Sequence, residues 1–180
     1  AGAGFYLDAT QAPWSSHYQM ASYITQELRE LILKKFPADP NRLGIFGHSM
    51  GGHGALTLAL RNPGMYQSVS AFAPIAAPIH CPWGQKAFRH YLGDNTDSWR
   101  NYDATALIED GARAPALLID QGLNDQFLSE LHPDRFEAAC LNAGQELLLR
   151  RHDDYDHGYY FISSFMVDHL AHHRNLLANR

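Results

Sequence analysis

The chain has 180 residues, with 14 Lys and Arg against 19 Asp and Glu, a formal net charge of −5 with histidine neutral. Hydrophobic residues make up 46% and charged residues 18%, a globular composition that excludes a disordered tail or a collagen-like repeat. Mild acidity without a Lys/Arg-rich run argues against nucleic acid or an anionic membrane as the main partner, and no apolar stretch approaches the ~20 residues a spanning helix needs.

The length suits one domain with a real core. The two cysteines, Cys81 and Cys140, cannot make a disulfide framework; they read as small buried hydrophobes in a reducing compartment, so the expected location is the cytoplasm. The chain opens on Ala1-Gly2-Ala3-Gly4 with neither an initiator Met nor a signal peptide, and reads as entered in mid-domain.

In chain order, Phe5 to Ala9 reads as a short extended piece before a Pro-containing loop through Trp14. From Tyr18 to Phe36, Met20, Tyr23, Ile24, Leu28, Leu31, Ile32 and Phe36 recur at helical spacing, with Ser15 or Ser16 as cap and Pro37 and Pro40 as stop. Leu43 to Gly47 is a buried-strand pattern, followed by a glycine-rich turn and a helix over Ala55–Leu60. Ser68 to Ala73 is a second strand. Ile75 to Gly111 is irregular, with a helix near Lys86–Leu92. Ala116 to Asp120 and then Gln145 or Glu146 to Arg150 are the third and fourth strands, with a helix around Asp134–Ala143 between them. A last helix runs from Tyr159 to Leu177, with Phe161, Phe165, Leu170 and Leu177 as inner-face candidates. Strands alternating with helices imply a mostly parallel sheet, with function at the carboxyl ends of its strands.

Those ends carry the chemistry. Gly47-His48-Ser49-Met50-Gly51 fits G-x-S-x-G between a strand and a helix, the setting of a nucleophile elbow. The turn lifts the hydroxyl out of the sheet, glycines on either side remove collisions, and the following helix aims its N-terminal N–H groups at a developing oxyanion, Met50 first. An anion-binding turn is the bland reading; a phosphate-binding P-loop is excluded because no Lys follows the glycines.

A serine nucleophile needs a base, and the base needs an orienting carboxylate, in the chain order Ser, Asp/Glu, His. Asp120 and Asp125 compete for the carboxylate. Asp125 is favoured because a loop position can turn toward the base, while Asp120 reads as a structural carboxylate bonded to loop amides. His157, just before the last helix, is favoured over His152 as base, and Asp156 reads as a tether of that loop. His48 and His53 read as packing or hydrogen-bonding residues. His169, His172 and His173 have metal-like spacing beside Asp168, but read better as cations favoured by the C-terminal half of a helix. Trp83, Phe127 and Tyr160 are candidates to narrow an acyl pocket, or simply core.

Gly47-His48-Ser49-Met50-Gly51-Gly52-His53-Gly54-Ala55-Leu56 resembles the elbow of the S-formylglutathione hydrolases, the esterase D family. So do Ser68-Val69-Ser70-Ala71-Phe72-Ala73-Pro74, Cys81-Pro82-Trp83-Gly84-Gln85-Lys86-Ala87-Phe88, Asp120-Gln121-Gly122 with Asp125-Gln126-Phe127, and Tyr155-Asp156-His157 with Tyr159-Tyr160-Phe161. Upstream, Gly2-Ala3-Gly4-Phe5-Tyr6 and Ala9-Thr10-Gln11 with Pro13-Trp14 match too. The resemblance implies an α/β-hydrolase fold, a mostly parallel sheet with helices on both faces and its first strands absent, residues 1–180 being the C-terminal part of a single domain. It implies a triad of Ser49, Asp125 and His157 that needs no cofactor and no metal, and hydrolysis of the small molecule S-formylglutathione to glutathione and formate in formaldehyde detoxification. Gly158 stands where the family usually has Ser. The resemblance also implies upstream strands and a second oxyanion donor, so residues 1–180 alone are expected to be poorly soluble or inactive. A general small-acyl carboxylesterase and an inactive fragment or interaction module stay open as alternatives, as does a homodimer.

Overall fold

The computed structural model describes residues 4–178; Gly2 and Ala3, named in the resemblance, lie outside the described residues. After a 3₁₀ turn at Trp14–Ser16, α1 (Met20–Ser22) and α2 (Arg29–Lys35) are joined by a π-helical stretch, Tyr23–Leu28, into one rod. Then follow β1 (Gly44–His48), α3 (Met50–Arg61), β2 (Ser68–Phe72), α4 (Pro82–Leu92), α5 (Ala104–Glu109), β3 (Leu117–Gly122), α6 (Leu128–Leu131), α7 (Pro133–Ala143), β4 (Leu147–His152) and α8 (Tyr159–Ala178). The strands form one parallel sheet in the order β1-β2-β3-β4, in register from Gly44 against Ser68 to Gly122 against His152. Each crossover contains helix, as parallel pairing requires.

Strand alternation divides the core. Val69, Ala71, Leu117 and Ile119 meet Leu56, Leu60, Ile108, Phe136 and Cys140 from α3, α5 and α7 in one cluster. A second, aromatic cluster gathers Phe72, Phe88, Trp99 and Phe161 with Phe5 and Leu7. Both cysteines are free and buried, and burial pushes Cys81 up to about 11 and Cys140 to about 12, so neither thiol ionises near neutrality. Among the described residues no helix is long and apolar enough to cross a membrane.

Several elements differ from the sequence reading. Residues 5–7 turn instead of extending, with φ of 46° and 50° at Phe5 and Tyr6, His53 Nε2 3.0 Å from the Phe5 carbonyl and Phe5 and Leu7 buried, while Asp8 makes an antiparallel β-bridge to Gln19. Neither Ser15 nor Ser16 caps the first helix; the residue before Met20 is Gln19, and it makes no side-chain cap bond. Of that helix's apolar stripe, Met20, Tyr23, Leu31, Ile32 and Phe36 are exposed. β1 is an edge strand whose Phe46 is 46% exposed. The region 75–111 is more regular than its composition suggests: Asp103 caps α5 by accepting from Ala106 N at 2.9 Å and also takes Ile79 N at 3.1 Å.

The largest departure concerns the α8 histidines. Its buried residues are Phe161, His169 and His173, while Leu170 is exposed. Two residues along a strand span about 6.6 Å and four along a helix about 6 Å, so Ser68 and Ser70 can face His173 and His169 as a matched pair. His169 lies 2.8 Å from Ser70 Oγ by Nδ1 and 3.1 Å from Asp120 Oδ2 by Nε2; His173 lies 2.9 Å from Ser70 Oγ by Nε2 and 2.6 Å from Ser68 Oγ by Nδ1. An ionised carboxylate only accepts, so His169 Nε2–H donates to Asp120. His173, held neutral by burial, hydrogen-bonds Ser68 and Ser70 and is not a helix-end cation.

The pH dependence follows. Burial, with His172 and His169 adjacent, pulls His173 from 6.5 down to about 4. The unfolded chain therefore binds a proton that the folded chain refuses. The neutral ring's contribution, on the order of 3 kcal/mol, is complete above pH 6.5 and lost as pH falls toward about 4. Urea unfolding across that window is expected to show stability declining with acidity, with a shallower slope in His173→Gln; an unchanged slope would contradict the assignment.

Candidate active site

β1 ends at His48, and Ser49 takes φ 57° and ψ −117°, a conformation L-residues rarely adopt, before α3 begins at Met50. The turn is held from three sides: Ser49 N donates to Phe72 O at 2.9 Å, and Ser49 O accepts from His53 N at 2.9 Å and Ile75 N at 3.3 Å. Gly47 is sterically required, since a Cβ there would lie 2.3 Å from the Gly51 carbonyl oxygen. Gly51 is not required in the same sense, because the nearest atom to its Cβ would be the Tyr6 hydroxyl at 3.8 Å. Met50 N–H belongs to the first turn of α3, whose donors have no partner within the helix.

His157 arrives from the loop between β4 and α8. Its Nδ1 lies 2.6 Å from Asp125 Oδ2, and its ring centroid is 4.4 Å from that of His48, the neighbour of Ser49. Asp125 also accepts from Phe127 N at 2.8 Å and from Gln121 Nε2 at 3.1 Å. Burial alone pushes the Asp125 carboxyl up, but these bonds, led by His157, hold it below the usual carboxylate range. An ionised Asp125 only accepts, so His157 carries a proton on Nδ1. Burial, and then His157 beside it, pull His48 down to about 4, so this neighbour is neutral at working pH. Among the described residues no hydrogen bond joins Ser49 Oγ to His157; such contacts commonly tighten only around substrate.

Asp120 and His152 form a separate pair. His152 Nε2 lies 3.2 Å from Asp120 Oδ1, and its ring stacks on Phe165 at 3.7 Å. Asp120 is not bonded through its carboxylate to loop amides, as the sequence reading supposed, but takes Arg150 through two 2.6 Å bonds together with His169 and His152. Burial opposes its ionisation, yet these donors carry it far below the carboxylate range. Asp156 does tether its loop, accepting from Gly158 N at 2.7 Å.

Of the aromatic candidates, Phe127 sits edge-on to His157 at 5.1 Å and Trp83 backs Phe127 at 6.0 Å. Tyr160 stacks on Tyr155 at 5.9 Å and is 77% exposed. A cleft of about 1260 Å³ lies behind the Asp125 loop, beside Arg113, Arg135 and Arg151, but its lining includes neither Ser49 nor His157. Geometry, not cavity size, marks the site. Sequence reasoning missed Gln121 and Gly122. The signal for Gln121 was a polar residue in an apolar strand run, and for Gly122 a glycine at a strand end. A Cβ at Gly122 would lie 2.3 Å from the Tyr155 carbonyl oxygen, so the His157 loop crosses β3 only because that side chain is absent. Gly122→Ala is expected to displace the loop and lower kcat/KM about 100-fold, measured by steady-state kinetics; wild-type kinetics would remove the loop from the account.

Residues 1–172 match a family model described as "Putative esterase". The chain is 53% identical over 179 residues to an S-formylglutathione hydrolase of Rattus norvegicus, covering 98% of this chain and 64% of the relative. It is 53% identical to the protein of that name from Mus musculus, with the same coverage. A solved S-formylglutathione hydrolase from Agrobacterium tumefaciens superposes with a TM-score of 0.95 at 57% identity, over 97% of this chain and 63% of that one. The chain thus spans a little under two thirds of the length of these relatives. The parallel sheet flanked by helices is that of an α/β-hydrolase, and the chain belongs to the esterase family.

Proposed function

We propose that the protein hydrolyses the thioester S-formylglutathione to glutathione and formate, with Ser49, His157 and Asp125 as its triad. The observation that carries this reading is the 2.6 Å bond from His157 Nδ1 to Asp125 beside a serine at a strained elbow. The name shared by the similar proteins supports the substrate class.

In this mechanism Ser49 Oγ attacks the formyl carbon as His157 Nε2 takes its proton, and Asp125 stabilises the imidazolium. Met50 N–H donates to the oxyanion. The C–S bond breaks and glutathione leaves as thiolate; a thiol of pKa about 8.5 needs little help from an acid, so His157 matters chiefly as base. The departed thiolate or solvent then takes the Nε2 proton, returning His157 to its neutral form. His157 next deprotonates water, which attacks the formyl-serine ester; formate leaves and the imidazolium returns this proton to Ser49. Phe127, edge-on to His157 and backed by Trp83, would narrow the space for the acyl group. The same reading makes residues 1–180 the C-terminal part of one α/β-hydrolase domain, supported by the outer edge of β1 having no strand partner among the described residues. Its free, buried thiols suit a cytoplasmic setting.

Comparing kcat/KM for S-formylglutathione and p-nitrophenyl acetate in the full-length protein tests the substrate class. The thioester is expected to be preferred; preference for the simple ester would make the protein a general carboxylesterase.

A further inference from the structure

We infer that Gln121 is a positioning residue of this site, locking the Asp125 carboxylate to the central strand so that Asp125 can hold His157 in one orientation. The inference rests on the triad reading above.

Gln121 lies near the end of β3 and is fully buried, after the apolar run Leu117, Leu118 and Ile119. Its Nε2 lies 3.1 Å from Asp125 Oδ2 and 3.0 Å from the Gly122 carbonyl. Both neighbours only accept hydrogen bonds, so the amide orientation is determined: nitrogen toward Asp125, oxygen away. That oxygen, Gln121 Oε1, is buried and has no hydrogen-bond partner among the described residues. Leaving an acceptor unpaired is unfavourable, and a hydrocarbon side chain would fill the position without that cost. The two N–H bonds are what the amide adds.

One of those bonds goes to Asp125 Oδ2, the oxygen that also receives His157 Nδ1, while Phe127 N holds Oδ1. The carboxylate is thereby fixed at both oxygens, once from its own loop and once from the sheet. Without Gln121 it keeps Phe127 N and His157 itself but loses its tie to the sheet, and can rotate about its Cβ–Cγ bond together with the ring it holds. The imidazole, which follows Asp125, then loses its fixed plane. Gln121 does not touch the substrate in this scheme; it acts through Asp125.

The test uses the full-length protein, with Gln121→Leu and the same-shaped Gln121→Glu. Gln121→Leu is expected to lower kcat roughly tenfold, the size of one hydrogen bond to a charged group, with KM unchanged. Losing a donor leaves Asp125 with more uncompensated charge, which favours the imidazolium, so the acid limb of kcat/KM moves up by about half a pH unit. Gln121→Glu adds a charge and moves it further the same way. In an Asp125→Asn background Gln121→Leu is expected to cost less than about twofold, because the partner it acts on has changed. A lowered melting temperature with wild-type kcat and pH limb would overturn the inference, as would a full tenfold loss in the Asp125→Asn background. Loss of the folded state in both variants, seen by circular dichroism, would make Gln121 a packing residue and overturn it too. Ser49→Ala, run beside them, separates the two readings: if it keeps wild-type turnover the triad itself fails, and if it loses turnover while the Gln121 variants do not, only the positioning role fails.

Discussion

Ser49→Ala in the full-length protein is expected to lower kcat/KM by about 10⁴- to 10⁶-fold while leaving thermal stability unchanged or improved. The elbow conformation is held by the backbone bonds to Phe72, His53 and Ile75, none of which uses the hydroxyl. Alanine at φ 57° is strained as serine is, and neither is helped by its side chain. Adding His157→Gln to Ser49→Ala is expected to cost little more, because a base without its nucleophile has nothing to activate and losses within such a unit do not add. Independent, multiplying losses from the two substitutions would show that they do not share a step.

The second large effect is on stability. Asp120 is completely buried and accepts from Arg150 twice, from His169 and from His152. Asp120→Ala leaves the half-buried Arg150 guanidinium with Asp168 alone, 2.7 Å from Nη1, and the fully buried His169 ring without its Nε2 acceptor. Removing one partner of such a pair costs about 3–5 kcal/mol. It also removes one anchor of His169, which ties α8 to Ser70 of β2. Urea unfolding at neutral pH measures this; a loss below about 1 kcal/mol would mean that the network contributes as little as a surface ion pair. Turnover by the fraction still folded should stay near wild type, since Asp120 makes no hydrogen bond to Asp125 or His157.

What the sequence revealed and what it hid divide along physical lines. The elbow was legible because strain leaves a local mark: only a small residue fits at Gly47 against the Gly51 backbone. The contact of Asp125, rather than Asp120, with His157 was legible because a loop carboxylate can reach sideways. The partners of His169 and His173 were not legible, because Ser68 and Ser70 lie about a hundred residues upstream and only pairing of β2 with α8 aligns them. Helical periodicity from Tyr18 to Phe36 identified the rod but not its burial: an apolar stripe shows which face could be covered, not what covers it. Gln121 was passed over because its significance depends on Asp125 folding back beneath the strand end.

The account turns on Ser49 being a nucleophile activated by His157. Fluorophosphonate labelling of the full-length protein followed by peptide mass mapping measures this most directly. The account predicts a single adduct on Ser49, formed at a rate that falls at least about 100-fold in His157→Gln and absent from Ser49→Ala. Undiminished labelling of Ser49→Ala, or an adduct mapped to another residue, would contradict it.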